Sequence, residues 1–135
     1  MKTIITAYLS SLLAMLVVDG VWLSTTIKRF YAPRIGHLMA ASAKLGPAVV
    51  FYLLYVLGLA LLVVLPAVRL QTGLPRVFFT GALLGLMAYG TYDLTNQATL
   101  KDWPLTVTLV DLIWGALLTA VVSSISVACT RMIAK

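Results

Sequence analysis

Three short stretches set an acid among hydrocarbon: LVVDGVW at residues 16–22, YDLTN at 92–96 and LVDLIW at 109–114. Asp19, Asp93 and Asp111 each interrupt an apolar run, and the first and third share an Asp-x-x-Trp spacing that adds Trp22 and Trp114. A carboxylate inside a bilayer costs at least ~2.5 kcal/mol on insertion scales. A proton, a hydrogen-bond partner or a bound cation must offset that cost. Neighbouring residue types narrow the chemistry, because Tyr52, Tyr55, Tyr89 and Tyr92 supply phenol rings and hydroxyls and Asn96 an amide. Aromatic faces beside carboxylates attract organic cations, and intramembrane carboxylates also relay protons. These ten side chains are the candidate ligand-binding or proton-handling group. The alternative is structural: protonated aspartates, Asn96 and tyrosines can act as interhelical hydrogen bonds of about 0.6 to 2 kcal/mol each, with no ligand involved.

The elements that position them follow from composition. Hydrophobic residues fill 61% of 135 positions and mean hydropathy is +1.03, well above the roughly 45–50% apolar usage of soluble domains. Apolar runs at about 3–26, 48–68, 76–98 and 104–130 each supply the ~20 residues that cross a hydrocarbon core. Because unpaired backbone groups cannot face lipid, each run should be an α-helix. The expected fold is all-α: residues 1–135 form one domain of four transmembrane helices in an antiparallel bundle. Gly46–Pro47, Gly73 and Pro75, and Asp102-Trp103-Pro104 punctuate the runs, the last reading as a capped helix start with Trp103 at the interface. The opening MKTIITAYLSSLLAMLVV has signal-peptide character. No small-x-small cleavage site follows and the apolar run continues through Leu23, so it reads as a retained first span.

Antiparallel threading then sets depth. At a rise of ~1.5 Å per residue, Asp19 lies roughly 10 Å before the end of the first run, Asp93 about 8 Å before the end of the third, and Asp111 about 10 Å after the start of the fourth. All three of those ends face the same side. Tyr52 and Tyr55 fall about 6 to 10 Å below the start of the second run on that side, so the four helices should present one polar layer. Gly81, Gly85, Tyr89, Asp93 and Gln97 recur at intervals of four and share a helical face. Since the two Asp-x-x-Trp copies run in opposite directions, Trp22 and Trp114 should lie on opposite sides of the carboxylate layer. Three carboxyls in one low-dielectric layer cannot all be ionised unless a cation sits among them.

Residues 27–47 form the one long connection. Ile35, Leu38, Met39, Ser42 and Leu45 fall on one helical face, so a short interfacial helix over about 33–45 is expected, with an irregular loop as the alternative. Lys28, Arg29 and Arg34 there are candidates for lipid headgroup contact. The net charge of +6 and pI near 9.8 come from scattered basic residues, which suit anionic lipid and not nucleic acid. Lys2, Arg69, Arg76, Arg131 and Lys135 on one side balance Lys28, Arg29, Arg34, Lys44 and Lys101 on the other. Positive-inside counting therefore ties, and the tight basic turn at Arg69 and Arg76 favours cytoplasmic termini. His37 is the only histidine, so multi-histidine metal centres and bis-histidine haem are excluded within one chain, and no metal site or cofactor is read from the motifs. Cys129 stands alone and forms no internal disulfide.

The stretch YGTYDLTNQATLKDWPLTVTLVDLIWG, residues 89–115, resembles a family of small bacterial inner-membrane proteins described only as a domain of unknown function, DUF2177. The resemblance extends over most of the chain and implies a four-helix, multi-pass protein of the bacterial inner membrane. It adds no activity. On the residues alone, the leading expectation is binding or transport of a small cationic or amphipathic molecule, or coupling to protons, with Asp93 and Asp111 handling charge. A lipid- or isoprenoid-modifying enzyme and an accessory subunit of a membrane complex are the alternatives. Four short helices make a thin wall, so a homodimer surrounded by membrane lipids is expected.

Overall fold

In the computed structural model, which describes residues 1–134, the chain forms four long helices. They are α1 (Lys2–Leu38), α2 (Leu45–Arg69), α3 (Leu74–Thr99) and α4 (Leu105–Ile133), each long and apolar enough to cross a membrane. There is no strand among the described residues. Lys135, counted above with the basic residues, lies outside them. The protein is a multi-pass membrane protein. Large apolar side chains such as Leu13, Leu54, Phe79 and Ile113 point outward, as they must where the surrounding solvent is hydrocarbon.

α3 and α4 share the most extensive interface, α1 packs on α4, and α2 leans on α1. Glycine makes the first of these possible. A Cβ on Gly81 would stand 2.9 Å from the Thr119 carbonyl oxygen, one on Gly85 would overlap the Gly115 carbonyl, and one on Gly115 would run into the Tyr89 ring. With hydrogen there instead, the two backbones approach closely, which is how helices associate where apolar burial supplies no drive. Met15, Val56, Leu59, Val77, Leu118 and Val122 fill the centre.

Two of the helices widen locally, and the sequence says where. Ile27–Tyr31 in α1 and Ala60–Val64 in α2 are π turns, closed by Ala32 N–H to Ile27 O and by Leu65 N–H to Ala60 O. A proline follows each turn by two residues, Pro33 and Pro66. Proline has no N–H to give, and its ring presses on the carbonyl four residues back. That carbonyl belongs to Arg29 in one case and Leu62 in the other, both inside the widened turn, so the extra residue relieves the clash.

The connection expected to hold a separate interfacial helix is helical over Ala32–Ile35 and Gly36–Leu38, continuous with α1, and non-helical over 39–44. The α2–α3 and α3–α4 turns each place one residue in the left-handed region, Gln71 at φ 51° and Asp102 at φ 58°. Asp102 thus shapes the turn, and the residue at the cap position of α4 is Pro104, with no side-chain cap bond.

Candidate functional site

Spacing of three places Asp19 and Trp22 on one face of α1, and Asp111 and Trp114 on one face of α4. The two faces meet. The indoles of Trp22 and Trp114, expected on opposite sides of the carboxylates, instead stack directly, with centroids 4.2 Å apart and planes 9° from parallel. Trp114 donates its Nε1–H to Asp19 Oδ1 at 3.0 Å, and the Tyr52 hydroxyl from α2 donates to Oδ2 of the same carboxylate. Trp22 donates to the Tyr31 hydroxyl at 3.3 Å, and Tyr31 donates onward to Asp111 Oδ1 at 2.5 Å. Charge-assisted bonds of this kind run short and are roughly twice as strong as neutral ones.

Asp93 is different. It projects from α3 beside Asp111, near enough for the two carboxyls to interact. Its relative exposure is 0%; no hydroxyl or N–H donor reaches Oδ1 or Oδ2, and the Asp111 carboxyl lies within hydrogen-bonding reach. An ionised carboxylate in that position costs several kcal/mol. Two of the three aspartates are therefore held by fixed donors, and the third is not.

Below the three carboxylates and the stacked indoles lies a cavity of about 420 Å³. Its wall combines Asp19, Asp93 and Asp111 with Trp22, Trp103, Trp114, Tyr31, Tyr52, Tyr89, Tyr92 and Phe51, and includes no lysine, arginine or histidine. The α1 side is one stripe. Asp19, Leu23, Ile27, Tyr31, Ile35 and Met39 all line the cavity at intervals of four. Trp103, expected at the interface, is only 6% exposed. It closes a ring of hydrogen bonds: Trp103 Nε1–H to Thr108 Oγ1 at 3.0 Å, the Thr108 hydroxyl to Gln97 Oε1 at 3.0 Å, and Gln97 Nε2–H to Trp103 O at 3.2 Å. That ring ties the ends of α3 and α4 together at the cavity wall.

Of the ten candidate side chains, Asp19, Asp93, Asp111, Tyr52, Tyr89, Tyr92, Trp22 and Trp114 face this cavity. Tyr92 is 59% exposed and sits edge-on to Trp103 at 5.9 Å, at the cavity's rim. Two others go elsewhere. Tyr55 shares a 2.7 Å hydrogen bond with Thr119 Oγ1 deeper in the bundle, and Asn96 is half-buried outside the lining. Lys28, Arg29 and Arg34 are exposed and contribute nothing to the wall. Arg34 instead folds back, its guanidinium 4.2 Å above the Phe30 ring and its Nη1–H on the Phe30 carbonyl at 2.9 Å.

Tyr31 and Trp103 are the residues that reasoning from apolar runs overlooks. Tyr31 lies beyond the first run, in the basic connection, yet the interval-of-four stripe from Asp19 to Met39 passes through it unbroken. That periodicity was the available signal. Among the described residues, no three histidine, cysteine or acidic side chains come together as a metal-binding group.

Comparison with protein families matches residues 4–128 to the family described as "Predicted membrane protein (DUF2177)". No match was found among curated proteins or among solved structures.

Proposed function

The chain belongs to the DUF2177 family of predicted membrane proteins, and from that premise we propose that it binds a small organic cation in the aromatic, carboxylate-lined cavity, in the bacterial inner membrane. One observation carries this reading: three carboxyls, Asp19, Asp93 and Asp111, border one aromatic cavity whose lining includes no lysine, arginine or histidine. A cation seated there would supply the positive charge that the three carboxyls lack. The indole and phenol faces around it would bind the same charge through their quadrupoles, and a volume of about 420 Å³ falls in the usual range for small-molecule sites. Asp19 and Asp111, fixed by Trp114, Tyr52 and Tyr31, hold the negative field in place without being consumed by it.

All three tryptophans of the chain line the cavity, so intrinsic fluorescence reports occupancy. Titrating the detergent-purified protein with tetraalkylammonium ions should give a saturable change in tryptophan emission. Asp93→Asn should weaken that binding by roughly tenfold or more, the loss of one desolvated charge contact. If Asp93→Asn and Asp111→Asn titrate like the wild type, the reading fails. Flux of the same ions into proteoliposomes then separates a carrier from a binding protein.

A second reading, a lipid- or isoprenoid-modifying enzyme, draws support from the Asp93–Asp111 pair. Neighbouring carboxyls in unlike settings, one engaged by Tyr31 and one reached by no hydroxyl or N–H donor, are what an acid–base pair requires. A deletion strain whose membrane lipids change, and are restored by the wild type but not by Asp93→Asn, supports it. An unchanged lipid profile removes it.

A further inference from the structure

The opposite end of the bundle carries a second concavity of different chemistry. Between the last turns of α2 and the first turns of α3 lies a groove of about 380 Å³, lined by Leu62, Val63, Pro66, Leu70, Arg76 and Val77 among others. Arg76 is exposed at its wall. Leu62 and Val63 belong to the α2 π turn, so the widened part of the helix forms the groove's lower side. Measured down α2, Leu62 lies ~10 Å below Arg69 at 1.5 Å per residue, which takes the groove from headgroup level into hydrocarbon depth.

Charge at this end is one-sided. The chain has four acidic residues in all. Asp19, Asp93 and Asp111 line the cavity described above, and Asp102 sits in the α3–α4 turn beside it. None borders the groove. The nearby Arg131 is committed elsewhere, its Nη2–H groups donated to the carbonyls of Ala67 at 2.9 Å and Thr72 at 2.7 Å, where they brace the turn. Arg76 is therefore the cation the groove presents.

We propose that this groove is a site for one anionic phospholipid, its phosphate on the Arg76 guanidinium and the start of an acyl chain along Leu62, Val63, Leu70 and Val77. A guanidinium meets a phosphate through paired, charge-assisted hydrogen bonds. Thr72, Gly73 and Thr80 border the groove beside Arg76, and apolar walls continue from there into the hydrocarbon, which matches the order of parts in a phospholipid. Selectivity for a net negative headgroup follows from the absence of any carboxylate in the lining: the ammonium of a zwitterionic lipid would find no partner there.

The test is native mass spectrometry of the protein released from nanodiscs of phosphatidylcholine containing a small fraction of phosphatidylglycerol. The wild type should retain one phosphatidylglycerol. Arg76→Gln should lower that retention about five- to tenfold, in line with the attraction of one arginine for an anionic surface together with its direct contact. Arg69→Gln removes the same charge from an exposed position outside the groove and should retain the lipid. Leu62→Trp, which keeps Arg76 but fills the apolar side, should lose it. Equal loss in Arg76→Gln and Arg69→Gln would reduce the effect to diffuse surface charge and overturn the proposal, as would retention unaffected by Arg76→Gln. Displacement of the lipid by millimolar inorganic phosphate, with Leu62→Trp without effect, would overturn it in favour of a free anion.

Discussion

Trp114 gives its indole N–H to Asp19 on α1, 3.0 Å away, and not to Asp111 one turn from it on its own helix. Trp22, the tryptophan that follows Asp19, serves the other aspartate in turn, through the Tyr31 hydroxyl that bonds Asp111. The two Asp-x-x-Trp copies are thus cross-wired. Each ring is fixed twice, by a hydrogen bond at its edge and by its stacked partner at its face, so the pair sets the distance and rotation between α1 and α4. Asp93 meets this network only through the Asp111 carboxyl.

That division predicts opposite stability effects for two chemically identical residues. Asp19→Leu leaves the Tyr52 hydroxyl and the Trp114 N–H without their acceptor and should lower stability by about 2–4 kcal/mol, one to two orphaned buried donors. Asp93→Leu removes a buried carboxyl that no hydroxyl or N–H serves and that stands against a second carboxyl, Asp111, so it should leave stability unchanged or raise it. Thermal denaturation in a mild detergent compares them. Equal destabilisation by both would mean that Asp93 has a structural partner.

Tyr31→Phe keeps the ring in the cavity wall but removes the donor to Asp111 and the acceptor for Trp22. A loss of about 1–2 kcal/mol is expected, with helical circular dichroism unchanged and tryptophan emission shifted, because Trp22 loses its hydrogen bond. An unaltered emission spectrum would show that the Trp22–Tyr31–Asp111 chain does not persist in detergent.

The depth of the three carboxyls was legible in the sequence, whereas that of the two stacked indoles and the azimuth of the site were not. A fixed rise per residue and a fixed bilayer thickness leave an antiparallel helix little freedom along its axis, so the level of Asp19, Asp93 and Asp111 could be worked out by counting. Rotation about that axis depends on which side chains interlock. Tyr55 lies one turn from Tyr52, yet it turns toward Thr119 where Gly85 and Gly115 bring α3 and α4 close. Asn96 shares a helix with Asp93 but is half-buried outside the lining. Trp103 looked like an interfacial marker because tryptophan prefers the interface. Its burial follows from the ring it forms with Gln97 and Thr108, a contact between residues of two different helices.

Glycine packing gives a prediction independent of the polar site. Gly85→Leu puts a side chain where the Gly115 backbone and the Thr119 hydroxyl already stand and should destabilise by about 1–3 kcal/mol or more, the typical cost of overpacking. Gly20→Leu meets nothing within 4 Å and should be neutral. Detergent melting curves decide it, and a neutral Gly85→Leu would rule out the close α3–α4 approach.

Arg131→Met should loosen the α2–α3 turn specifically. The guanidinium is the donor to Ala67 O and Thr72 O, so amide hydrogen exchange over residues 67–73 should speed up tenfold or more, in keeping with about 1.5–3 kcal/mol for a hydrogen bond from a charged group. Exchange in the cavity-lining helices should stay as it was. Uniform acceleration along the chain would point instead to a global loss of stability.

The π turn at Ile27–Tyr31 has a genetic consequence. A side chain four places along an ordinary α-helix has drifted by about 40°, so a stripe running from Asp19 to Met39 would spiral off the cavity before reaching Tyr31. One supernumerary residue winds part of that drift back. A relative lacking one codon among 28–30 would wind regularly there and still carry its counterpart of Tyr31 on the wall, because eleven residues at about 100° each return to within about 20° of the Asp19 face. Such a relative would keep the four spans and the cavity-lining stripe together. A one-residue gap at this turn is therefore compatible with the same pocket, and the aspartates remain the better guide to it.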